Sequence, residues 1–403
     1  MSLLALDDAR ARLLDIVRPG GAETVPLAQA LGRTLADPLI AQRTQPPAPV
    51  SAMDGWAVRA ADLTGGPVTL RIVGQAAAGE PLDQPLSPGE AARIFTGGVL
   101  PPGADQVVIQ ENARAEAALL HLTDPPQPGR HVRAAGRDFT QGQSLLSPGT
   151  VLTAQTLALA ASAGALWPKV AQPPEVAVLC TGDELVEPGE TPGPGGIVNA
   201  LGVGLGARIA AAGGRAVYLG VVRDDLEAMT AAFDRSKRST LVVCVGGASV
   251  GERDFARAGF AAAGGELAFA KINLKPGKPT WGGGLGGSAV LGLPGNPASA
   301  FVAAELLLAP LIAKALGRPG PHAPDLSAGV LATPLPANGD REAWVRAKTV
   351  GRDDFGRPIL DATADQDSSL LTVLAGSDAL IRRAAGADAA AAGDAVAALM
   401  LTP

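Results

Sequence analysis

Three lysines fall within eight residues, Lys271, Lys275 and Lys278, in a chain of 403 residues that holds only seven lysines against twenty-six arginines. Lysine is a mobile point charge suited to phosphate and other oxyanions, so the KINLKPGKPTW stretch reads as an anion-binding turn. A solvated charged face is the ordinary alternative, and the apolar neighbours and the scarcity of lysine count against it. Upstream, Gly246, Gly247, Ser249 and Gly251 form a turn whose N–H groups can approach an anion without side-chain obstruction. Turns use glycine for their own sake; the weight here comes from the position between a buried strand and a helix. Acids recur at matching places: Thr181, Asp183 and Glu184 close one apolar run, Asp224 and Asp225 the next, Glu252 and Asp254 a third. Carboxylates suit Mg2+, which shares its oxygen ligands with substrate phosphates. One acidic turn could be a solvated loop, and Asp225 a helix cap. Three at the ends of neighbouring strands point to a shared cation site.

Two nucleotide motifs are set aside. Gly277-Lys278 lacks the upstream glycine of a Walker loop and is followed by Pro279, while Gly282, Gly284 and Gly287 fit GxGxxG but precede a strand, not a helix.

The elements that must position these groups alternate regularly after Pro173 and Pro174. Strands are expected at 176–180, 216–222, 241–245 and 289–293, with another through Lys271 and Leu274 that points Lys271 and Lys275 to one side. Helices are expected at 201–212, 225–233, 254–263 and 297–316. This is a multidomain α/β chain whose central domain, 173–317, is a mainly parallel sheet covered by helices on both faces. Before it, helices at 3–17, 27–31 and 153–163 are expected to pack together as a linking domain, 1–42 plus 133–172. Short runs between turn residues make 43–132 an inserted small β domain. After the PGPHAP linker, 318–403 reads as a C-terminal β domain, in which Ala384 to Ala392 is open to a helical alternative.

Composition excludes several classes. A net charge of −6 disfavours a broad nucleic-acid surface and leaves anion binding to a local pocket. Cys180 and Cys244, the only cysteines, each sit in an apolar run, which suits a reducing cytoplasm better than a disulfide framework. His121, His131 and His322 are scattered, with no zinc spacing. The start of the chain is amphipathic and acid-containing, unlike a signal peptide. No uninterrupted apolar stretch approaches the ~20 residues that cross a bilayer, so a soluble protein without a membrane partner is expected.

In combination, SAMDGWA from Ser51, IFTGGVLPPGADQVV from Ile94, CTGDELVEPG from Cys180, GGASVGERD from Gly246, KPGKP from Lys275 and GLPGNPASA from Gly292 closely resemble the molybdopterin molybdenumtransferase family, the MoeA-type enzymes and the E domain of gephyrin. The match spans Met1 to about Gly317, with a weaker one around Arg341 and Ser368-Ser369. The resemblance implies an elongated four-domain homodimer whose active site lies between the α/β domain of one subunit and the β domain of the other. It implies that adenylylated molybdopterin and molybdate react, with a divalent cation such as Mg2+, to give molybdenum cofactor and AMP. Other proteins of molybdenum cofactor biosynthesis are implied partners. Carried over by motif, Asp54, Glu184, Asp224, Asp254, Lys271 and Lys275 form the catalytic set, with Glu184, Asp224 and Asp254 as metal ligands. Thr96, Asp138, Gly246, Gly247, Ser249, Lys278, Pro294 and Pro297 form the substrate-binding set.

Trp56 departs from the usual tyrosine and loses a hydroxyl while keeping an aromatic wall, and IVNALG departs from the usual Asp, small residue and Asn, so Asn199 takes no assigned role. Two alternatives remain. One is the adenylyltransferase of the same chemistry, whose single domain resembles 175–316; the first 170 residues, with Asp54 and Thr96, argue against it. The other is a non-catalytic scaffold of the gephyrin E-domain type, which has no need of the acids and lysines.

Overall fold

The computed structural model describes residues 3–64, 66–247 and 255–401. Ser249, Gly251, Glu252 and Asp254 lie outside the described residues.

The chain opens with helix α1, Leu6–Ile16, which buries Leu6, Ala9 and Leu13. That face packs on the central α/β sheet and not with helix α2, Ala154–Ser162, with which the expected linking domain paired it. Amphipathic spacing defines a face without naming its partner. Only a 3₁₀ turn, Leu27–Gln29, joins α2. The linking segment is a ladder of short antiparallel pairs in which 22–24 meets 169–171, 39–40 meets 144–146 and 50–51 meets 132–133. Val25, Leu35, Phe139, Leu152 and Val170 give it a core of its own. Between its two halves lies a six-stranded mixed sheet built from 55–58, 68–76, 90–94, 106–109, 113–116 and 119–122.

The central sheet has six strands: β1 Glu175–Thr181, β2 Arg215–Val222, β3 Leu241–Val245, β4 Glu266–Phe269, β5 Trp281–Leu285 and β6 Ser288–Leu293. Their order is β2-β1-β3-β6-β5-β4. The first four are mutually parallel, and β5 and β4 pair antiparallel at the edge. Neither edge strand was expected, because β4 is short and β5 reads Trp-Gly-Gly-Gly-Leu, with little strand propensity. Gly286 and Gly287, both at positive φ, close the β5–β6 hairpin, which gives those glycines a turn and not a nucleotide to serve.

Alternation along β1 sends Val176, Val178 and Cys180 to one face and Ala177 and Leu179 to the other. The first face is covered by α1, α3 (Ala200–Ala212) and α6 (Pro297–Ala315), the second by α4 (Leu226–Ser236) and α5 (Phe255–Ala262). Helix α6 is 19 residues long and apolar enough to span a bilayer, yet 72% of its apolar window is buried against the sheet and its neighbours. It is the core helix of this domain. A π-turn at Ala304–Leu308 interrupts it.

Residues 326–331, 342–352, 358–362, 379–383 and 395–400 close a five-stranded barrel. Ala384 to Ala392 contains no helix. The strand expected through Lys271 reduces to Leu274–Lys275, which pairs with Glu342 and Ala343 of the barrel and not with the central sheet.

One packing detail tests the register of the central sheet. Trp281 faces Gly292 across β5 and β6, and a Cβ on Gly292 would lie 2.0 Å from the fully buried indole. Gly292→Ala is expected to cost about 1–3 kcal/mol through overpacking, read as a lower urea midpoint; an unchanged midpoint would show that the indole is free to move.

Candidate active site

The carboxyl ends of β1, β3 and β6 open into a cavity of about 740 Å3. β1 delivers Cys180, Thr181, Gly182 and Glu184, and Asp224 follows β2. Gly246 and Gly247 leave β3, and Pro294 to Pro297 leave β6. Ligands of open α/β sheets bind at this edge because the strand-to-helix turns carry unpaired polar groups there. Gly246 has φ +95°, and a Cβ on it would lie 2.3 Å from the Thr181 carbonyl oxygen. The floor of the cavity is therefore bare backbone.

The acids are fixed differently. Thr181 Oγ1 donates to Asp224 Oδ1, and the Asp224 backbone N–H donates to Asp183 Oδ1 at 3.2 Å. The Glu184 carboxylate folds back over Gly182, where a Cβ would meet both of its oxygens at 2.8 Å. Among the described residues no three Asp, Glu, His or Cys side chains converge into a metal site, and Asp254, the third expected ligand, lies outside them.

Asn199, to which the motifs assigned nothing, lines this cavity and is 3% exposed. It caps α3 by accepting from Gly202 N–H at 3.1 Å and donates to Tyr218 Oη at 2.7 Å. Tyr218 in turn donates to Glu187 Oε1 at 2.7 Å, so the loop after Glu184 is tied to the sheet. Burial pushes the Cys180 thiol up to about 11 despite a hydrogen bond from Asn199, and the thiol stays protonated near neutral pH.

The lysine turn borders a second cavity of about 1050 Å3, between the α/β domain and the barrel. Lys275, Lys278, Arg341, Lys348 and Arg383 line it. Pro279 lines both cavities. The turn is held from three sides. Asn273 N–H donates to Leu4 O at 2.7 Å, Asn273 Nδ2 to Asp340 O at 3.2 Å, and Ile272 N–H to Lys278 O at 3.2 Å. Lys271 lines neither cavity and sits outside the two-residue strand, so it does not share a strand face with Lys275 as expected. The apolar residues around it belong to the join with α1, not to a regular strand.

Asp54 and Thr96 lie in the inserted β domain, and no residue from 43–132 lines the 740 Å3 cavity. Asp54 Oδ1 accepts from Thr96 N–H at 2.7 Å and Thr96 Oγ1 at 2.8 Å. These bonds, with a smaller pull from Arg93, hold the Asp54 carboxyl below its ordinary value of 3.8. The Arg93 guanidinium lies between the rings of Trp56 and Phe95, 5.4 and 4.9 Å from their centres. Asp138 is exposed in the turn beside Phe139, its N–H on Gln45 O at 3.1 Å. Ser369 and Asn296 complete the first cavity. Asn296 sits inside a recognised motif, whereas Ser369 is signalled only by the weak match near the end of the chain.

A central α/β domain with its binding edge at the strand ends, an inserted β domain and a C-terminal barrel define a molybdopterin-binding class of multidomain protein. The chain matches the MoeA N-terminal region (domain I and II) over residues 4–164, a probable molybdopterin binding domain over 177–314 and the MoeA C-terminal region (domain IV) over 328–401. It is 36% identical over 319 residues to a molybdopterin molybdenumtransferase of Haemophilus influenzae, covering 78% of each chain. It is 31% identical over 387 residues to that of Bacillus subtilis, covering 94% of this chain and 89% of the other. The molybdopterin biosynthesis MoeA protein of Pyrococcus horikoshii superposes over 100% of both chains with a TM-score of 0.85 and 30% identity. The chain belongs to the MoeA family of molybdopterin molybdenumtransferases.

Because both Thr96 donors favour the ionised form, Asp54 should stay charged below pH 3.8. In Thr96→Val the hydroxyl donor is gone, and the Asp54 carboxyl resonance followed by NMR should titrate at higher pH; an unmoved titration would assign the shift elsewhere.

Proposed function

We propose that this chain inserts molybdenum from molybdate into adenylylated molybdopterin and releases AMP, as a step of molybdenum cofactor biosynthesis. The observation that carries the reading is the meeting, at Pro279, of an acid-bearing cavity at the sheet edge with a second cavity lined by lysines and arginines. An anhydride-linked nucleotide with an oxyanion co-substrate needs both polarities within one molecule's reach. Lys275, Lys278 and the Gly246–Gly247 backbone hold the phosphates and molybdate, and their positive charge stabilises the anion that develops as the anhydride breaks.

The donor chemistry fits Mg2+. Glu184 and Asp224 offer hard carboxylate oxygens on one cavity, and Mg2+ commonly takes one or two carboxylates and fills the rest with waters and substrate phosphates. A bound ion there would polarise the phosphoanhydride bond. Thr181 keeps Asp224 aimed, and the tie through Asn199, Tyr218 and Glu187 steadies the Glu184 loop.

The reading includes a homodimer in which Asp54 and Thr96 of one subunit face the α/β cavity of the other. Its support is that the described cavity takes no lining from the β domain of its own chain, while Asp54 is exposed and held ionised. The two cysteines, both buried and outside any disulfide, fit a cytoplasmic setting.

Anaerobic incubation of the purified protein with adenylylated molybdopterin, molybdate and Mg2+ should release AMP and give active cofactor, and chelation with EDTA should stop it. No turnover by the folded protein would overturn the reaction, and turnover indifferent to EDTA would overturn the metal. Asp54→Ala and Lys275→Ala subunits should each be inactive. Random mixing makes half of the dimers hybrid with one intact site in two, so about a quarter of wild-type activity should return. Hybrid dimers that form and stay dead would rule out a shared site.

A further inference from the structure

Arg346 is fully buried in the barrel, and among the described residues no carboxylate makes a contact ion pair with it, although Asp365 and Asp367 attract it from farther away. Its Nη1 has no hydrogen-bond partner. All of its side-chain bonds go to one short segment: Nε donates to Gln366 Oε1 at 3.3 Å and Nη2 to the Asp367 carbonyl at 3.0 Å. Gln366 answers with Nε2 on the Arg346 carbonyl at 2.9 Å, and its Oε1 also accepts the Arg346 N–H at 3.0 Å. Burying a charge is costly unless it is closely paired, a cost that an apolar residue of similar volume escapes. A residue serving only the barrel core would therefore be apolar, and an arginine with an idle donor calls for another reason.

That reason lies on the far side of the segment. Ser368 O accepts from the Ala298 N–H at 2.9 Å, and Ser368 Oγ from Asn296 Nδ2 at 3.0 Å. Asn296 is the N-cap residue of α6 and makes no side-chain cap of its own, so the barrel satisfies a helix-end donor that is otherwise orphaned. Ser369 N–H and Oγ close on Asp367 Oδ1 at 2.8 and 2.6 Å. Ser368 lines the 1050 Å3 cavity and Ser369 the 740 Å3 cavity. The serine pair stands between them, as does Pro279, which lines both, and Arg346 itself lines neither.

We propose that Arg346 is a positioning residue: it clamps the Gln366–Ser369 segment from beneath so that Ser368 and Ser369 hold the two cavities in register. The proposal deepens the reading of the site given above and rests on it for its kinetic arm.

The test compares the full-length protein with Arg346→Met, which keeps volume and discards the fork, and with Arg346→Lys, which keeps the charge and loses the planar geometry. Hydrogen exchange of the Ala298 amide should rise about tenfold or more in both variants, with melting temperature unchanged or higher in Arg346→Met. Where Arg346→Met does not fold, Arg346→Lys carries the same prediction. In turnover assays kcat should fall about tenfold, as small misplacements in a site do, and adding Ser369→Ala to Arg346→Lys should cost less than the two single losses multiplied. Unchanged Ala298 exchange overturns the clamp, as do kinetic losses that multiply fully or merely follow the folded fraction. The exchange arm needs no turnover, so inactivity of the wild type would overturn the reaction and leave the clamp to be judged by exchange alone.

Discussion

The site depends on one close approach: the chain leaving β3 crosses the end of β1 so tightly that no Cβ fits at Gly246, whose nearest neighbour would be the Thr181 carbonyl at 2.3 Å. Parallel strands stand about 4.8 Å apart, and a turn that crosses its neighbour must give up side chains to do so. Positive φ at Gly246 and Gly247 turns the backbone at that point. Everything polar at the edge is arranged around this bare floor. Thr181 can spend its hydroxyl on Asp224, Glu184 can fold over Gly182, and the GNP turn after β6 can complete the wall.

A second constraint joins the domains. The lysine turn is the connection between β4 and β5 of the central sheet, and it also shares hydrogen bonds with Leu4, with Asp340 and, through Leu274–Lys275, with the barrel strand at Glu342 and Ala343. The start of α6 is likewise completed by Ser368. Both connections run between the α/β core and the barrel at the cavity walls. A loosened barrel would disturb the anion-binding turn before it disturbed the sheet, because the sheet keeps its own two-faced core.

Much of this was readable from periodicity. Buried strands such as VAVLC and LVVCV have no other use for so many apolar residues in so few positions, and the acids after them fall where the strands end. The family motifs located most of the cavity wall, including Pro294, Pro297 and the glycine pair. What stayed hidden was set by contacts distant in sequence. Glycines in β5 mask a strand whose hydrogen bonds come from its neighbours. Lys271 and Lys275 look alike in spacing, yet only Lys275 joins the barrel. Asn199 sits in a stretch, IVNALG, that departs from the family pattern, and still it caps a helix, ties down Tyr218 and lines the cavity. Arg346 gives no local sign of burial, since charged residues on barrel strands ordinarily face water.

Charge explains why the site is divided among separate elements. The whole chain carries −6, so oxyanions are repelled at long range and must be drawn in locally; the lysine and arginine cavity does this. Directly across the Ser368–Ser369 partition, Glu184 and Asp224 face the neighbouring cavity. On the proposed dimer, Asp54 brings a further carboxylate that is ionised at any physiological pH, because Thr96 holds it below its ordinary value. Carboxylates gathered on one cavity repel a phosphoanhydride unless a cation is shared among them. In the proposed reaction the acidic half would therefore favour substrate only with the shared cation, whereas the basic half would accept an oxyanion unaided. In the proposed reaction this asymmetry leaves the phosphates and molybdate to the lysines and the Gly246–Gly247 backbone, and the cation to the carboxylates. On the proposal for Arg346, the Ser368–Ser369 segment between the cavities, and not either cavity alone, then sets whether the two reactants meet in register.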